Sequence, residues 1–375
     1  MNSLESRRQF IGNGIVAGAG ALGVAIISGK RGVADDERRT ELGSGIKRVI
    51  FESADRIYTS RGKELQYNSF TDIDVWRGKY YVVFRQAVKH HPSRSRLVLL
   101  ESTDLKKWDE KVVLDRPELD DRDPKLLSTP DRLILYTTPF PHDTEVLYTE
   151  DGTHWSEPAD AYSDDVGDQC WRPKAWMGSY YMACDYDNDR VDLLKSDDGL
   201  SWRYASTIMR GSKYAPTETA ITFLKDGRCL AVTRGNTNST CDPVFSIANP
   251  PYTSWSYGHG DKYFSGPAVE RIGDSVIVVS RTVIGPEKGQ WDFPRDPEIP
   301  DDDGQRTAVH RFDVETMSLG PPILLLTETS GDSSYPGILP IGEGRALISW
   351  HYGNRHWGTP GPNDIWLAQI RIVEP

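Results

Sequence analysis

The 375-residue chain has little of what would mark several other classes of protein. It has four cysteines and five methionines, contains no C-x-x-C pair, and carries one long apolar run, at residues 12–29. These absences argue against a cysteine-based metal site and against a multi-span membrane protein. Basic residues number 44 against 55 acidic ones, a net charge of −11. That balance excludes a general nucleic-acid binder, because neutralising phosphates needs a surplus of lysine and arginine.

Aromatic residues and turn formers are plentiful instead. The chain has 11 Trp, 17 Tyr and 10 Phe, together with 33 Gly and 24 Pro. This composition disfavours a helical bundle and favours many short strands joined by turns. A hydrophobic content of 38% with 26% charged residues is ordinary for a folded globular chain.

The first 34 residues are predicted to be an export signal. Arg7 and Arg8 precede the uncharged run, and Gly32-Val33-Ala34 suits a small-residue cleavage site. The pattern indicates the twin-arginine route, with a retained membrane anchor as the alternative. We therefore expect a periplasmic or extracellular protein that has no stable membrane partner once the signal is cleaved.

Two of the cysteines flank a predicted hairpin. Cys170 and Cys184 lie on either side of a turn at Met177-Gly178-Ser179, so they can face one another. An oxidising compartment permits a disulfide between them, and two buried thiols are the alternative. The sequence leaves both open.

A turn motif recurs at equal spacing. Ser102 to Trp108, Thr149 to Trp155 and Ser196 to Trp202 each begin with Ser or Thr, have Asp two positions later and end in Trp; Pro251 to Trp255 is a degenerate fourth copy. Ser, Thr and Asp side chains bond backbone groups in tight turns, and a Trp can pack underneath. Equal spacing indicates one supersecondary unit used repeatedly.

Between these turns, pairs of β-prone segments alternate with Gly-containing turns. There are six such pairs: Phe70–Trp76 with Tyr80–Arg85, Arg122–Ser128 with Leu133–Thr138, Trp171–Trp176 with Tyr180–Asp185, Thr217–Leu224 with Cys229–Arg234, Gly266–Ile272 with Ser275–Arg281, and Tyr335–Ile341 with Ala346–His351. The turn motif resembles the Asp-box of sialidase-like proteins. Together these patterns predict an all-β fold, a six-bladed β-propeller with four strands in each blade.

The predicted propeller defines the rest of the chain. Lys47–Phe51 and Ile365–Ile372 are expected to share the closing blade. The domains are then residues 1–34 (signal), 35–60 (lead-in and closing strand) and 61–375 (propeller). Gly285 to Arg306 is predicted to be an inserted surface loop, and its Asp301-Asp302-Asp303 run is interpreted as a solvated acidic segment.

In a propeller the starts of the inner strands and the ends of the second strands meet at one mouth of the central channel, a common place for a ligand. The residues predicted there are Asp72, Arg122, Arg172, Glu218, Gly266 and Tyr335 from the inner strands, and Arg85, Thr138, Asp185, Arg234, Arg281 and His351 from the second strands. So many arginines are not explained by packing, because arginine is rarely buried unless paired.

Over residues 60–372 the chain resembles the sialidase superfamily. Pro216-Thr-Glu218 with Val232-Thr-Arg234 resembles the segment that carries a glutamate and the second substrate-binding arginine. Ser265-Gly-Pro267 with Val279-Ser-Arg281 resembles the one with the third arginine, and Ser334-Tyr335-Pro336 the one with the nucleophilic tyrosine. The resemblance implies that Tyr335 is a nucleophile, that Glu218 is its base, and that the arginines hold a sugar carboxylate. Next to that carboxylate a neutral phenol is preferred to an anionic nucleophile.

The chain departs from the family pattern at two functional positions, the first substrate-binding arginine and the acid. The first arginine is missing, because its place reads Phe70-Thr71-Asp72; Arg85, Arg122 and Arg172 are the candidates to replace it. The acid has no motif either: Asp72, Asp121 and Asp123 are candidates by location, and His90-His91 offers a histidine. Further substrate contacts are predicted at His351, and at Trp171, Trp350 or Trp357 by stacking on a sugar ring. The chain resembles a divergent sialidase-like branch at four segments: Phe84-Arg85, Arg122-Asp-Pro-Lys125, Trp171-Arg172 and Gly331 to Pro336.

These observations predict an exported glycoside hydrolase of the sialidase-like type, which cleaves a terminal, carboxylated sugar from a glycan or oligosaccharide. Two alternatives stay open. One is a carbohydrate-binding propeller without turnover, and the other is a polysaccharide lyase on uronic-acid glycans, with arginine neutralising the carboxylate and tyrosine or histidine as base. No metal, cofactor or nucleic-acid partner is expected.

Overall fold

The computed structural model describes residues 25–26, 48–90, 92–162, 168–186, 188–211, 213–236, 241–293, 295, 302–327, 333–353 and 362–373. Within these ranges all regular elements are β-strands, arranged as six antiparallel sheets. The predicted all-β, six-bladed propeller is confirmed. In the same ranges there is no helix of the length and apolarity needed to cross a membrane.

The strands follow the chain blade by blade. Strands β1 (Ala25–Ile26) and β2 (Arg48–Tyr58) come first, then blade one with β3 (Tyr67–Trp76), β4 (Lys79–Ala87), β5 (Ser95–Ser102) and β6 (Asp109–Asp115), and blade two with β7 (Asp120–Ser128), β8 (Leu133–Phe140), β9 (Glu145–Thr149) and β10 (Ala159–Asp160). Blade three has β11 (Asp168–Cys170), β12 (Lys174–Trp176), β13 (Ser179–Tyr186), β14 (Arg190–Ser196) and β15 (Arg203–Arg210).

The second half repeats this order. Blade four has β16 (Pro216–Phe223), β17 (Cys229–Gly235), β18 (Pro243–Ala248) and β19 (Trp255–His259); blade five has β20 (Phe264–Ile272), β21 (Ser275–Val283), β22 (Gln305–Asp313) and β23 (Ser318–Leu325); blade six has β24 (Ser333–Gly342), β25 (Arg345–Tyr352) and β26 (Asp364–Val373). The first strand in each blade is the inner one, which lines the central channel.

The ring closes through a strand from the beginning of the chain. Strand β2 pairs antiparallel with β26, from Arg48 opposite Val373 to Tyr58 opposite Ile365, and becomes the outer strand of blade six. The shared closing blade expected from the sequence is therefore present, with a strand that continues to Tyr58. Of the predicted signal, only Ala25–Ile26 lies within the described residues, as a short parallel partner of β23. The signal and its cleavage stay predictions.

The blades are held together by apolar side chains on both faces of their sheets. Strand β21 is buried along its whole length, and Ile73, Val82 and Phe84 of blade one pack against Leu347 and Leu367 of blade six. Burying one such side chain contributes about 1.5–3 kcal/mol. This packing accounts for the runs of Val, Ile and Leu in the inner and second strands.

The three repeated turns share one hydrogen-bond pattern. In the turn between β14 and β15, Asp198 Oδ1 accepts the backbone N–H groups of Leu200 and Ser201 at 2.8 and 2.9 Å, and Ser196 Oγ accepts that of Gly199. The turns that contain Asp104 and Asp151 repeat these bonds. The Tyr136 hydroxyl of blade two donates to the Gly199 carbonyl, so this turn also joins neighbouring blades.

A further turn of this kind escaped the sequence analysis. Between β22 and β23, Asp313 Oδ1 accepts the N–H groups of Glu315 and Thr316 at 2.9 and 3.1 Å. It has no Trp at the end of the motif, so only the carboxylate is left as a signal in the sequence.

Two expectations about local structure are wrong. Of the inner strand expected over Trp171–Trp176, only β12 is a strand, and β11 precedes it; the strand is interrupted at Pro173, which has no N–H to donate. The Arg172 guanidinium in this break donates to the carbonyls of Ile73 and Ile338, at 2.6 and 2.7 Å. Asp302 is not solvated, since its carboxylate accepts Arg306 Nη2 at 2.6 Å and the Gly304 N–H at 2.8 Å. Asp301 lies outside the described residues.

The cysteine pair is placed as the hairpin predicts. Cys170 and Cys184 are directly opposed across β11 and β13, both are buried, and their Sγ atoms are 3.0 Å apart. The predicted opposition of the two cysteines is therefore present, and the disulfide and the two buried thiols both stay predictions.

Asp198→Ala is expected to destabilise the protein by about 1–2 kcal/mol, because two backbone N–H groups lose their acceptor. Burial would raise the pKa of Asp198, but the N–H groups of Ser201 and Leu200 outweigh it and hold the pKa below 3.8. The stabilisation is thus present above pH 3.8 and lost as the pH falls through the lowered pKa, so the variant and the parent should converge in acid. Urea unfolding at pH 7 and pH 3 measures this.

The neighbouring Asp197→Ala is the matched control, because Asp197 is exposed and pairs with Arg203 only at the surface. It should cost less than about 0.5 kcal/mol. Equal effects of the two substitutions would contradict the role given to the turn.

Candidate functional site

Five of the six inner strands carry a bulge at equivalent positions. In β3, β7, β16, β20 and β24 the pairing with the second strand shifts register, and a residue inside each shift has a positive φ; in β24 the preceding Ser334 has one as well. We call them the bulge residues: Phe70, Asp123, Glu218, Gly266 and Tyr335. A bulge interrupts the alternation of side chains along a strand and changes the direction in which its residue points.

Four of the bulge residues pay an energetic cost for this conformation. A positive φ is unfavourable by about 1–2 kcal/mol for a residue with a Cβ, and such strain is concentrated at functional sites. Gly266 avoids the cost and also leaves room, because a Cβ there would lie 3.1 Å from the Tyr335 ring. The channel is therefore shaped around the tyrosine.

Glu218 and Tyr335 are bonded to each other at the centre of these positions. The Tyr335 hydroxyl donates to Glu218 Oε1 at 2.7 Å, although the two residues lie on blades four and six. Arg234 Nη1 donates to the same oxygen at 2.6 Å, and the Gly266 N–H donates to Oε2 at 2.8 Å. Both Tyr335 and Glu218 are buried. We refer to them as the Tyr335–Glu218 pair.

The charges in this pair are fixed by its surroundings. Burial would raise the pKa of Glu218, but Arg234, the Tyr335 hydroxyl and the Gly266 N–H together hold that pKa below its usual value. The pKa of Tyr335 is well above 10.0, because of burial and the nearby Glu218 carboxylate. At neutral pH the pair is therefore a neutral phenol bonded to a carboxylate.

Arginine and aromatic side chains surround the Tyr335 ring. The Arg281 guanidinium carbon lies 5.3 Å from the ring centroid, and its nitrogens donate to the Ser333 carbonyl at 2.8 and 2.9 Å. Phe70 meets the ring edge-on at 4.7 Å between centroids, and the His351 ring lies parallel at 6.1 Å. These contacts fix the position of the phenol.

Three charged side chains, Arg85, Asp120 and Arg122, lie beside Phe70. Arg85 is fully buried and donates through Nε to Asp120 Oδ1 at 2.7 Å, and Arg122 Nη1 lies 4.0 Å from Asp120 Oδ2. The Arg122 guanidinium is 5.2 Å from the centre of the Phe70 ring and is 21% exposed. Of these two arginines, Arg122 is the one open to a ligand, whereas Arg85 is buried and holds Asp120 in place.

Of the acidic residues at the site, Asp123 has the surroundings that best suit a proton donor. It is buried, Gln169 Nε2 donates to its Oδ2 at 3.1 Å, and its Oδ1 accepts no hydrogen bond within the described ranges. Burial raises its pKa, while Lys125 and Arg122 act in the opposite direction. Lys125 itself is buried, with its ammonium 4.3 Å from the Trp171 ring centroid.

His90 lies at the rim beside the same group. Its Nδ1 is 2.7 Å from the Tyr67 hydroxyl, and its ring is 5.7 Å from that of Phe70. It is half-buried, so it borders the mouth. His91 lies outside the described residues.

Several of the residues predicted for the site have structural partners. Asp72 is buried, accepts the Leu126 N–H and pairs with Arg172 at 3.0 Å, while Arg172 also bonds the backbone of two other blades. Asp121 is buried against Arg116. These contacts use the groups that an acid or a substrate ligand would need, so the structure does not favour the roles expected for them.

The predicted stacking tryptophans are also used internally. Trp171 is 2% exposed and donates to the Pro267 carbonyl, and Trp350 is buried against Trp366. His351 is buried and accepts the Phe70 N–H at 3.3 Å through Nδ1. None of the three offers a free face to a sugar; Trp357 lies outside the described residues.

Two residues that matter here were not predicted: Asp120 pairs with the site arginine Arg85, and Gln169 holds Asp123. A third, Asp185, was predicted at the mouth but given no role. The run Asp120-Asp121-Arg122-Asp123 was the available signal, but it does not reveal which acid each arginine pairs with. Among the described residues no three His, Cys, Asp or Glu side chains are grouped as metal ligands.

No protein-family model and no curated protein sequence matches the chain. Solved structures do. A protein of unknown function from Dyadobacter fermentans has a TM-score of 0.68 at 16% identity, over 87% of this chain and 99% of that one. Phage phi92 endosialidase has a TM-score of 0.61 at 10% identity, over 86% of this chain and 69% of its own.

Trypanosoma rangeli sialidase in complex with the inhibitor DANA has a TM-score of 0.57 at 10% identity, over 81% of this chain. The match spans 55% of the length of that sialidase. At these identities the likeness establishes a sialidase-like propeller fold. The activity has to be argued from the site.

Asp120→Asn is expected to destabilise the protein by about 3–5 kcal/mol, because it leaves the buried Arg85 guanidinium without its counter-charge. Replacing both partners, as Arg85→Met with Asp120→Leu, should recover much of that loss. Denaturant unfolding of both variants measures these changes. Glu150→Gln, which opens the exposed pair with Arg132, is the control and should cost less than about 1 kcal/mol. A cost for Asp120→Asn as small as the control's would contradict the assignment.

Proposed function

We propose that the protein is a glycoside hydrolase that removes a terminal, carboxylated sugar through a covalent intermediate on Tyr335. The observation that carries the proposal is the buried 2.7 Å hydrogen bond from the Tyr335 hydroxyl to Glu218, with Arg234 on the same carboxylate and Arg281 beside the ring. A binding protein has no need of a strained, buried phenol–carboxylate pair between two arginines.

The pair provides a nucleophile and its base. As the phenol oxygen attacks the anomeric carbon, the bond from that carbon to the leaving oxygen breaks, and the phenol proton passes along the existing hydrogen bond to Glu218 Oε1. The negative charge that develops on Tyr335 in the transition state lies beside Arg234 and Arg281, which both lower the pKa of the phenol. In the second step water attacks the anomeric carbon and gives a proton to the carboxylate that protonated the leaving oxygen, the bond from that carbon to Tyr335 breaks, and the phenol recovers its proton from Glu218.

Arg234 connects substrate binding to this proton transfer. It is 20% exposed, and its bond to Glu218 keeps that carboxylate a weak base in the absence of substrate. A sugar carboxylate that draws Arg234 toward itself relieves Glu218 of part of this charge and raises the pKa of Glu218. The base is thus strengthened when an anionic substrate is present, which favours carboxylated over neutral sugars.

Asp123 is the acid in this proposal. Burial raises its pKa, which suits a group that must donate a proton to the leaving oxygen. Its Oδ1 is buried and accepts no hydrogen bond from the described residues, and Gln169 orients the other oxygen. Phe70 stands where the family pattern has its first arginine, and the Arg122 guanidinium beside it completes the anion-binding site. Sialidase neighbours solved with sialic acid support a sugar acid as the substrate class.

The test is to incubate the full-length protein with sialosides, uronides and neutral glycosides, and to record reducing ends and unsaturated products together. We expect release of a reducing sugar acid, with kcat lowered at least about 10³-fold in Tyr335→Phe and Glu218→Gln. Tyr257→Phe is the matched control, because Tyr257 lies on the outer strand of blade four and its hydroxyl donates to the Ile208 carbonyl of blade three.

Two results would contradict the proposal. Unsaturated products would indicate a lyase. Glycan binding without turnover, unchanged in Tyr335→Phe, would indicate a binding propeller.

A further inference from the structure

Asp185 is a buried carboxylic acid that touches the segment carrying Glu218. It lies near the end of β13, is 5% exposed, and its Oδ2 accepts the Thr217 hydroxyl at 2.7 Å. The backbone N–H of Glu218 also acts on the Asp185 carboxylate and lowers its pKa. Asp185 therefore bonds the residue directly before Glu218, at the point where β16 bulges.

The bulge at Glu218 needs such an anchor. Glu218 has a φ of 44°, and the register of β16 against β17 shifts between Thr217 and Thr219. This conformation is unfavourable for a residue with a Cβ and persists only where surrounding contacts hold it. The Arg234 and Gly266 contacts hold the end of the side chain, whereas Asp185 holds Thr217, the residue directly before it in the strand.

We infer that Asp185 is a positioning residue for Glu218, which anchors the left-handed bulge so that the carboxylate reaches the Tyr335 hydroxyl. The role of Glu218 as base rests on the proposed function, but the anchoring does not. Asp185 also has an oxygen, Oδ1, that is buried and bonded to nothing in the described ranges. A carboxyl placed only for packing would not be left in that state, because an unsatisfied buried oxygen costs free energy.

The inferred link has an electrostatic consequence. Burial raises the pKa of Asp185 to about 7, and the carboxylates of Glu218 and Asp123 add to the rise, while Thr217 and the Glu218 N–H oppose it. From the other neighbouring strand, β14, Arg190 and Asp192 flank Val191, the residue opposite Asp185, and pair with each other at 3.0 Å. Asp185 and Glu218 are thus coupled as like charges across a shared hydrogen-bonded segment.

The direction of the pH effect follows from linkage. Between the unfolded value of 3.8 and about 7, the folded protein keeps a proton on Asp185 that the unfolded chain has lost. The contribution of Asp185 to stability therefore falls across this range and is constant above it. Asp185→Asn removes the effect, so its melting temperature relative to the parent should rise by several degrees between pH 4 and pH 7 and then level off.

The coupling is tested in a double-mutant cycle that needs no substrate. A Glu218→Gln background lacks the like charge that helps to raise the pKa of Asp185. The melting-temperature difference caused by Asp185→Asn should therefore stop rising at a lower pH in this background than in the parent. Asp197→Asn, at an exposed position, is the control and should give a flat difference. A flat difference for Asp185→Asn, or one unchanged by Glu218→Gln, overturns the inference even if turnover is found.

Kinetics test the positioning itself on whichever glycoside is turned over. Asp185→Leu, which removes the anchor, should lower kcat about 10–100-fold with KM within about 2-fold, as expected for a displaced base. Asp185→Asn keeps an acceptor for Thr217 and should retain most of kcat, with an altered pH profile near pH 7. Folded Asp185→Leu with an unchanged kcat would overturn the role, whereas a protein with no substrate and a positive cycle would contradict only the proposed function.

Discussion

The carboxylate of Glu218 is where four blades of the propeller meet. Blade four supplies Glu218 itself and Arg234, blade five supplies the Gly266 N–H, blade six supplies the Tyr335 hydroxyl, and Asp185 of blade three bonds the adjacent Thr217. Any displacement of one blade changes a hydrogen bond to this group. The geometry of the site is thus set by the closure of the ring, which depends on β2 joining β26.

The channel contains many buried charges, and several of those described form ion pairs. Arg85 pairs with Asp120, Arg172 with Asp72, and both pairs also bond backbone groups. Such pairs add little net stability, but removing one partner is costly. The consequence is a rigid frame in which a few groups, Arg122, Arg234 and Asp123, retain the exposure or the unused oxygen that binding and chemistry require.

Most of the architecture could be read from the sequence because it depends on local, repeated signals. The turns that contain Asp104, Asp151 and Asp198 mark blades one to three, and Gly-containing turns mark the paired strands. Tyr335 and Glu218 were found through their resemblance to a family. The bulges could not be found, because a positive φ at Phe70 or Asp123 has no signature in residue type.

The choice of partner for each charged residue was equally hidden. The sequence places Asp72, Arg85, Arg122 and Arg172 at one mouth but does not give their pairing, which depends on distances of a few ångströms between different blades. In the structure, Asp72 and Arg172 neutralise each other and Arg85 is taken by Asp120. In the sequence Asp185 is one of six residues predicted at the ends of the second strands. Only its bond to Thr217 in the structure connects it to Glu218.

The central claim is that Tyr335 attacks the sugar. It is tested most directly by trapping the intermediate with a fluorinated analogue of the sugar that is turned over, followed by intact-mass measurement and peptide mapping. The account predicts one added glycosyl mass, located on Tyr335 and absent in Tyr335→Phe. A glycoside that is hydrolysed while no adduct forms, or an adduct on any other residue, would contradict it.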